Sequence, residues 1–296
     1  MNFLITGHTG FLGSTVITAL KKGIVEYLTL GRDEKADIKC DLSKAIPIIP
    51  SDLKISSVFH IAGKAHSVPK TDVQKKEFFD VNEKGTQHLL SGLESLDQLP
   101  KQFVFISTVA VYNCEEGENI SVNDINPSDF THGKATPYAH SKWNAEQLVL
   151  NWCKTRNINA LILRIPLIFG ENAPGNLGAM EKAIRKGYYF SVGSGQAKRS
   201  LVYLRDLVKL LTSLNGTESG IFNVISANKS YQEIENHFAH KYNKRIKRIP
   251  SFIIKIAAKV GDVFPLIPIN SCRLSKLEKS LTFQNNWPWL GLNKQG

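Results

Sequence analysis

A chain of 296 residues with 42% hydrophobic and 21% charged residues has an ordinary globular composition and length enough for one large core or two modest ones. Its net charge of +11 points to anionic partners, but the basic residues are scattered and not interleaved with aromatics, which argues against nucleic acid and leaves a phosphorylated small molecule or an anionic membrane surface. Cys40, Cys114, Cys153 and Cys272 form no C-x-x-C pair and the eight histidines show no H-x-x-E-H spacing, so no disulfide framework and no metal are expected, and the setting reads as cytoplasmic.

Asn2 to Thr6 is a short apolar run of the kind that is buried in a parallel sheet. Gly7, Gly10 and Gly13 follow as G-x-x-G-x-x-G, and Ser14 to Lys22 reads as an amphipathic helix. Glycine at the first two positions lets the backbone turn tightly and approach a pyrophosphate. The third lets the helix sit close on the strand, so that its first amides point at the phosphates. With a strand at the N-terminus, no signal peptide is expected.

Val25 to Leu30 reads as the second strand, ending at Gly31-Arg32-Asp33. Dinucleotide-binding sheets place an acidic residue at this tip to accept hydrogen bonds from the ribose hydroxyls. Here Gly31 leaves room, and the Arg32 guanidinium suits a 2′-phosphate, which favours NADP over NAD. The alternative leaves Arg32 in solvent and puts Asp33 on the ribose.

Ile38 to Leu42 is a short segment, and Ile55 to Ile61 is an apolar strand running into Ala62-Gly63-Lys64-Ala65-His66. A helix is expected over Thr71 to Ser95, then a strand over Phe103 to Ile106 leading to Thr108. Strand alternating with helix is the pattern of a doubly wound parallel sheet, class α/β. Pro137 opens a helix to about Arg156, on which Tyr138 and Lys142 share a face. An ammonium beside a phenol is expected to lower its pKa from about 10, fitting it to exchange protons with a hydroxyl or carbonyl.

At this point the residues resemble an extended short-chain dehydrogenase/reductase of the NAD-dependent epimerase/dehydratase type, a group acting on nucleotide sugars. Thr6-Gly7-His8-Thr9-Gly10-Phe11-Leu12-Gly13 matches the family's T-G-x-x-G-x-x-G, Asp41-Leu42 its adenine-contacting acidic dipeptide, and His60-Ile61-Ala62-Gly63 its H-x-A-[AG] loop. Asn82 with Gly85-Thr86 matches N-x-x-G-T, and Thr108 with Tyr112 matches [ST]-x-x-V-Y. The resemblance implies Thr108, Tyr138 and Lys142 as the catalytic triad. Cofactor contacts are implied for Gly7, Thr9, Gly10, Phe11, Leu12, Gly13 and Arg32, for Asp41, Leu42, Ile61, Ala62 and Gly63, and for Asn82, Tyr138, Lys142 and Ile165. Substrate contacts are implied for Lys64, Thr108, Asn176 and Arg199.

Ala160 to Ile165 reads as the sixth strand, and Leu163-Arg164-Ile165-Pro166-Leu167-Ile168-Phe169-Gly170 resembles the family's L-R-x-P-x-V-[FY]-G. Helices are expected over Leu177 to Lys186, Leu207 to Leu214 and Tyr231 to Tyr242, with a strand over Ile221 to Val224. Gly193-Ser194-Gly195, with Arg199 to Asp206, resembles G-x-G…R-x-x-V-x-[VL]-x-D. By that resemblance, residues 1–168 form a Rossmann-type dinucleotide domain to which 201–225 return, and 169–200 with 226–296 form a smaller substrate-binding lobe. A segment at 251–264 reads as a helix too short and too charged to span a membrane. It suits packing on that lobe or contact with a membrane surface.

Three reactions share such a scaffold. Family dehydratases carry Asp and Glu directly after the catalytic Thr, where this chain has Val109 and Ala110, neither able to move a proton. A 4-epimerase retains oxidised NAD, which Gly31 disfavours; a 4-ketoreductase uses NADPH, which Arg32 suits. The expectation is therefore reduction of a nucleotide-linked, UDP-type 4-keto-6-deoxy sugar for surface polysaccharide. The alternatives are a nucleotide-sugar 4-epimerase and a catalytically silent dinucleotide-sensing module. The helices at 71–95 and 138–156 are expected to pair across a homodimer.

Overall fold

The computed structural model describes residues 2–23, 25–65, 67–249 and 277–288. The N-terminal apolar run forms the strand Phe3–Thr6, buried at every position, and it pairs in parallel with Tyr27–Gly31 on one side and Ser57–His60 on the other. Strands covered on both faces carry continuous apolar runs, and Gln102–Thr108 is likewise buried throughout. Across the sheet the strands lie in the order Ile38–Lys39, Tyr27–Gly31, Phe3–Thr6, Ser57–His60, Gln102–Thr108, Asn159–Ile165, Gly220–Asn223, all parallel. This is a Rossmann-type doubly wound sheet. Its order reverses between Phe3–Thr6 and Ser57–His60, and ligands of such sheets bind beyond the carboxyl ends of the strands at that point.

One face of the sheet is closed by Leu89, Leu93, Val149 and Trp152 packing onto Leu4, Val58, Phe103 and Ile162. The helix expected over 71–95 is interrupted. Asp72–Phe78 and Gly85–Leu93 are α-helical, but Phe79–Lys84 between them is a π turn, and the buried Asn82 lies in it. Single π turns recur where a side chain must be redirected at a functional site. Pro137–Thr155 starts where expected, because Pro137 fills a position whose N–H has no helical partner and the Thr136 hydroxyl accepts from Ala139 N. This first unit comprises Met1–Asn113, Val122–Pro166 and Leu204–Val224.

The second unit takes Cys114–Ser121, Leu167–Tyr203 and Ile225–Gly296. Residues 201–203, read in sequence as part of the return to the first sheet, belong instead to the strand Lys198–Tyr203 of this unit. That strand pairs with Ala227–Ser230, Leu281–Phe283 and Leu167–Phe169, and Leu281–Phe283 pairs with Gly117–Ile120. The helix Gly175–Lys186 stops at Gly187, whose φ of +81° is the left-handed conformation that ends a helix cheaply only at glycine. Ser230 and Glu233 form a reciprocal capping box on Tyr231–Lys241, and Leu177, Ile184, Leu201, Ile234 and Phe238 form the core. The segment 251–264 lies outside the described residues, and no helix among those described is long and apolar enough to cross a membrane.

Candidate active site

The glycine turn brings three pieces of backbone closer than any side chain allows. Gly7 has φ +74°, and a Cβ there would lie 2.6 Å from Ala62 N; one on Gly13 would lie 2.2 Å from Gly7 O. The helix Phe11–Lys22 begins behind Gly10 with no side-chain cap and no acidic residue in its first turn. Its first N–H groups are thus left for an anion, at the positive end of the helix dipole. Thr9 and Gly10 are exposed at this end, while Leu12 and Gly13 are buried against the sheet. This backbone cradle fits a dinucleotide pyrophosphate.

Beneath it runs a chain of hydrogen bonds whose direction can be assigned. The Thr86 hydroxyl donates to Asn82 O at 2.6 Å, so its oxygen must accept from His60 Nε2 at 2.9 Å. His60 Nδ1 is then an acceptor, bonded by the Thr6 hydroxyl at 2.7 Å, and the Thr6 oxygen in turn accepts from Ala62 N at 3.2 Å. Burial, with the Lys142 charge behind it, pushes His60 down to about 3, so the ring is neutral. Between pH 6.5 and 3 the unfolded chain binds a proton there that the folded chain does not. Stability should therefore fall with falling pH across that window, at up to about 1.4 kcal/mol per pH unit from this group. Urea unfolding in buffers spanning the window should show a flatter slope for His60→Asn, and an unchanged slope would remove His60 from the account.

Asn82 is occupied by the protein itself. Its Oδ1 accepts from Lys64 N at 2.7 Å, and its Nδ2 donates to Lys64 O at 3.1 Å and to Ser141 Oγ at 2.9 Å. It thereby ties the loop holding Ile61, Ala62 and Gly63 to the helix that carries Tyr138. The Lys64 side chain is paired with Glu77 at 2.6 Å.

At the tip of the second strand the open space expected over Gly31 is absent. The His8 ring fills it: a Cβ on Gly31 would lie 2.7 Å from His8 Cε1. Arg32 is exposed beside it. Asp41 accepts from Ser43 N at 3.1 Å and from Ser43 Oγ at 2.7 Å. Burial alone would raise its pKa, but those bonds, with the Arg32 and Lys44 charges, hold it below the usual value. Leu42 O accepts from His88 Nδ1 at 2.7 Å, fixing the dipeptide.

Thr108, Tyr138 and Lys142 come together at the carboxyl end of the sheet, with Ile165 buried at the end of the neighbouring strand. Thr108 caps the short 3-10 turn Val109–Tyr112 through Ala110 N, at 3.2 Å, and its hydroxyl hydrogen-bonds the Tyr138 phenol. The expected lowering of the Tyr138 pKa does not occur: burial pushes it up, with the Thr108 bond opposing. Lys142 Nζ is directed elsewhere, donating to Ile106 O at 2.7 Å and lying 3.8 Å from the centre of the Phe105 ring. Burial lowers Lys142 to about 7, with Glu146 opposing.

A buried charge network goes unforeseen in the sequence. Glu146, one turn beyond Lys142, is 0% exposed and receives Arg164 Nη2 at 2.8 Å and Nε at 3.1 Å, together with the Ser107 hydroxyl. Arg164 Nη1 also donates to the Tyr112 hydroxyl and to Val122 O, and Tyr112 donates to Asn223 Oδ1. The network joins the strand of Thr108, the helix of Tyr138 and Lys142, and the strand of Ile165. The available signal was a charge at each of two positions whose neighbours are apolar.

The remaining candidates belong to the second unit. Asn176 is exposed in the first turn of Gly175–Lys186. Arg199 Nη1 donates to Lys198 O at 2.8 Å and to Lys279 O at 2.6 Å, and its guanidinium lies 5.2 Å from the centre of the Tyr231 ring.

A family model described as "NAD dependent epimerase/dehydratase family" matches residues 3–225. A UDP-glucose 4-epimerase of Vibrio cholerae is 26% identical over 225 residues, covering 72% of this chain and 66% of that protein. An N-acetyl-alpha-D-glucosaminyl-diphospho-ditrans,octacis-undecaprenol 4-epimerase of Escherichia coli O157:H7 is 32% identical over 137 residues, covering 45% of this chain and 38% of that protein. The matched stretch thus spans less than two thirds of either relative. Among solved structures, a human epimerase family protein with NADPH superposes with a TM-score of 0.68 at 19% identity, covering 98% of this chain and 97% of that one. A Thermus thermophilus UDP-glucose 4-epimerase with NAD gives 0.65 at 20%, covering 84% and 86%. These last two likenesses establish the fold.

Proposed function

The chain belongs to the NAD dependent epimerase/dehydratase family, and from that premise we propose a nicotinamide-dependent enzyme that reduces the 4-keto group of a nucleotide-linked sugar. The observation that carries this reading is the Tyr138 phenol, kept protonated by burial and hydrogen-bonded to Thr108. A resting phenol is a proton donor, which is what ketone reduction asks of it. The dinucleotide, when bound in the cradle of Gly7 to Gly13, supplies the hydride. Tyr138 gives its proton to the carbonyl oxygen as that oxygen gains charge, and the Thr108 hydroxyl hydrogen-bonds the same oxygen. Lys142 serves as the buried cation beside this pair. Val109 and Ala110, in the turn after Thr108, have no proton to exchange, which speaks against dehydration.

A second reading is supported by the names of the relatives: 4-epimerisation, in which the phenol must first act as a base. Two incubations separate them. NADPH with UDP-4-keto-6-deoxy-HexNAc should lose the absorbance of the reduced cofactor in step with substrate. UDP-glucose or UDP-N-acetylglucosamine with NAD should remain unchanged; interconversion of their 4-epimers without net cofactor change would instead establish the epimerase. We also propose a homodimer through the helices at 71–95 and 138–156, a closed pairing of identical surfaces. Light scattering should give twice the mass of the 33.0 kDa chain, and a single-chain mass at high concentration would exclude it.

A further inference from the structure

We propose that His8 selects the cofactor: together with Arg32 it receives the 2′-phosphate of NADP. The proposal rests on the dinucleotide reading above and deepens it. His8 stands in the glycine turn, and its ring folds back over the tip of Tyr27–Gly31, where a Cβ on Gly31 would meet Cε1 at 2.7 Å and Nδ1 at 3.2 Å. In sheets of this topology that tip adjoins the adenosine ribose. Both ring nitrogens are shielded from solvent, and neither has a hydrogen-bond partner in this structure. Asp33 Oδ2 lies 3.0 Å from Nε2, a contact of charge without a directed N–H bond. Native proteins rarely leave buried polar atoms unpaired, and a ligand is one of the few explanations when they do.

The neighbouring groups favour a phosphate over a free diol. A ribose diol needs a carboxylate with both oxygens available, but Asp33 Oδ1 already accepts from Lys35 N at 3.1 Å and Oδ2 faces His8. Asp37, the other carboxylate near enough to interact with His8, has Oδ2 bonded to Thr29 N and Thr29 Oγ1. Arg32, by contrast, is exposed, and no ion pair among the described residues claims it. An imidazole with unused nitrogens beside a guanidinium is a pair of donors converging on an anion.

The test is binding, read by fluorescence titration of NADPH and NADH on the wild type, His8→Phe, His8→Ala and Arg32→Ala. Phenylalanine keeps a ring over Gly31 and removes both nitrogens; alanine guards against a misfit of that ring. Wild type should bind NADPH about tenfold or more tighter than NADH, the scale of a charge-assisted contact. Each variant should lose about tenfold in NADPH affinity while NADH stays within about twofold. Competition by 2′-AMP over 5′-AMP should disappear in the same variants. Equal losses for both cofactors in the His8 variants would reduce the ring to packing and overturn the proposal. Equal wild-type affinities would overturn it while leaving the dinucleotide reading intact, whereas binding of neither cofactor would take down both.

Discussion

Tyr138→Phe should keep NADPH affinity within about twofold of wild type and lose about a hundred- to ten-thousandfold in turnover, the usual contribution of a general acid. Phenylalanine conserves the ring, which lies 5.9 Å from Phe78, so the helix Pro137–Thr155 and the binary complex should survive. What disappears is the hydroxyl hydrogen-bonded to Thr108. Cofactor titration and single-turnover rates on the same preparation decide the matter. Turnover within about threefold of wild type, less than 1 kcal/mol of barrier, would dismiss the triad and favour a protein that only senses the dinucleotide.

Arg164→Met should be the most destabilising single change in the sheet, by about 3–5 kcal/mol in urea unfolding. Arg164 is 1% exposed and Glu146 is 0% exposed, so removing the guanidinium leaves a carboxylate in the interior with no bidentate partner. The loss comes from the stranded charge more than from the missing bonds. The double variant Arg164→Met/Glu146→Leu should therefore cost less than the single one, since two apolar side chains need no pairing. A single-variant cost below about 1 kcal/mol, or a double variant worse than the single, would show that the pair is not what fastens these strands.

The glycine turn, the loop after Ser57–His60 and the Thr108, Tyr138 and Lys142 constellation were legible because each is written in a few contiguous residues whose spacing has a physical meaning. The second unit was legible mainly in its helices. Its strands Gly117–Ile120 and Leu281–Phe283 are short, and what makes them strands is a pairing between residues more than 160 positions apart. The Glu146–Arg164 pair was hidden for the opposite reason: in sequence, a charge on a helix or in a strand reads as a solvated one. Gly31 was misread because the residue that fills its space, His8, lies on another strand's exit. The Tyr138 pKa was misjudged because sharing a helical face does not fix where a long side chain ends, and Lys142 reaches Ile106 O.

The first sheet closes only with a strand that the chain reaches after an excursion into the second unit. Gly220–Asn223 pairs with Asn159–Ile165, so a fragment stopped at Pro166 would expose a seven-residue, largely apolar strand along an unpaired edge. Such an edge invites other chains to add to it. A trimmed nucleotide-binding piece made for crystallisation or binding assays would therefore be expected to aggregate unless it retained Leu204–Val224, and a flexible linker spanning 167–203 is a sounder design than a simple stop codon.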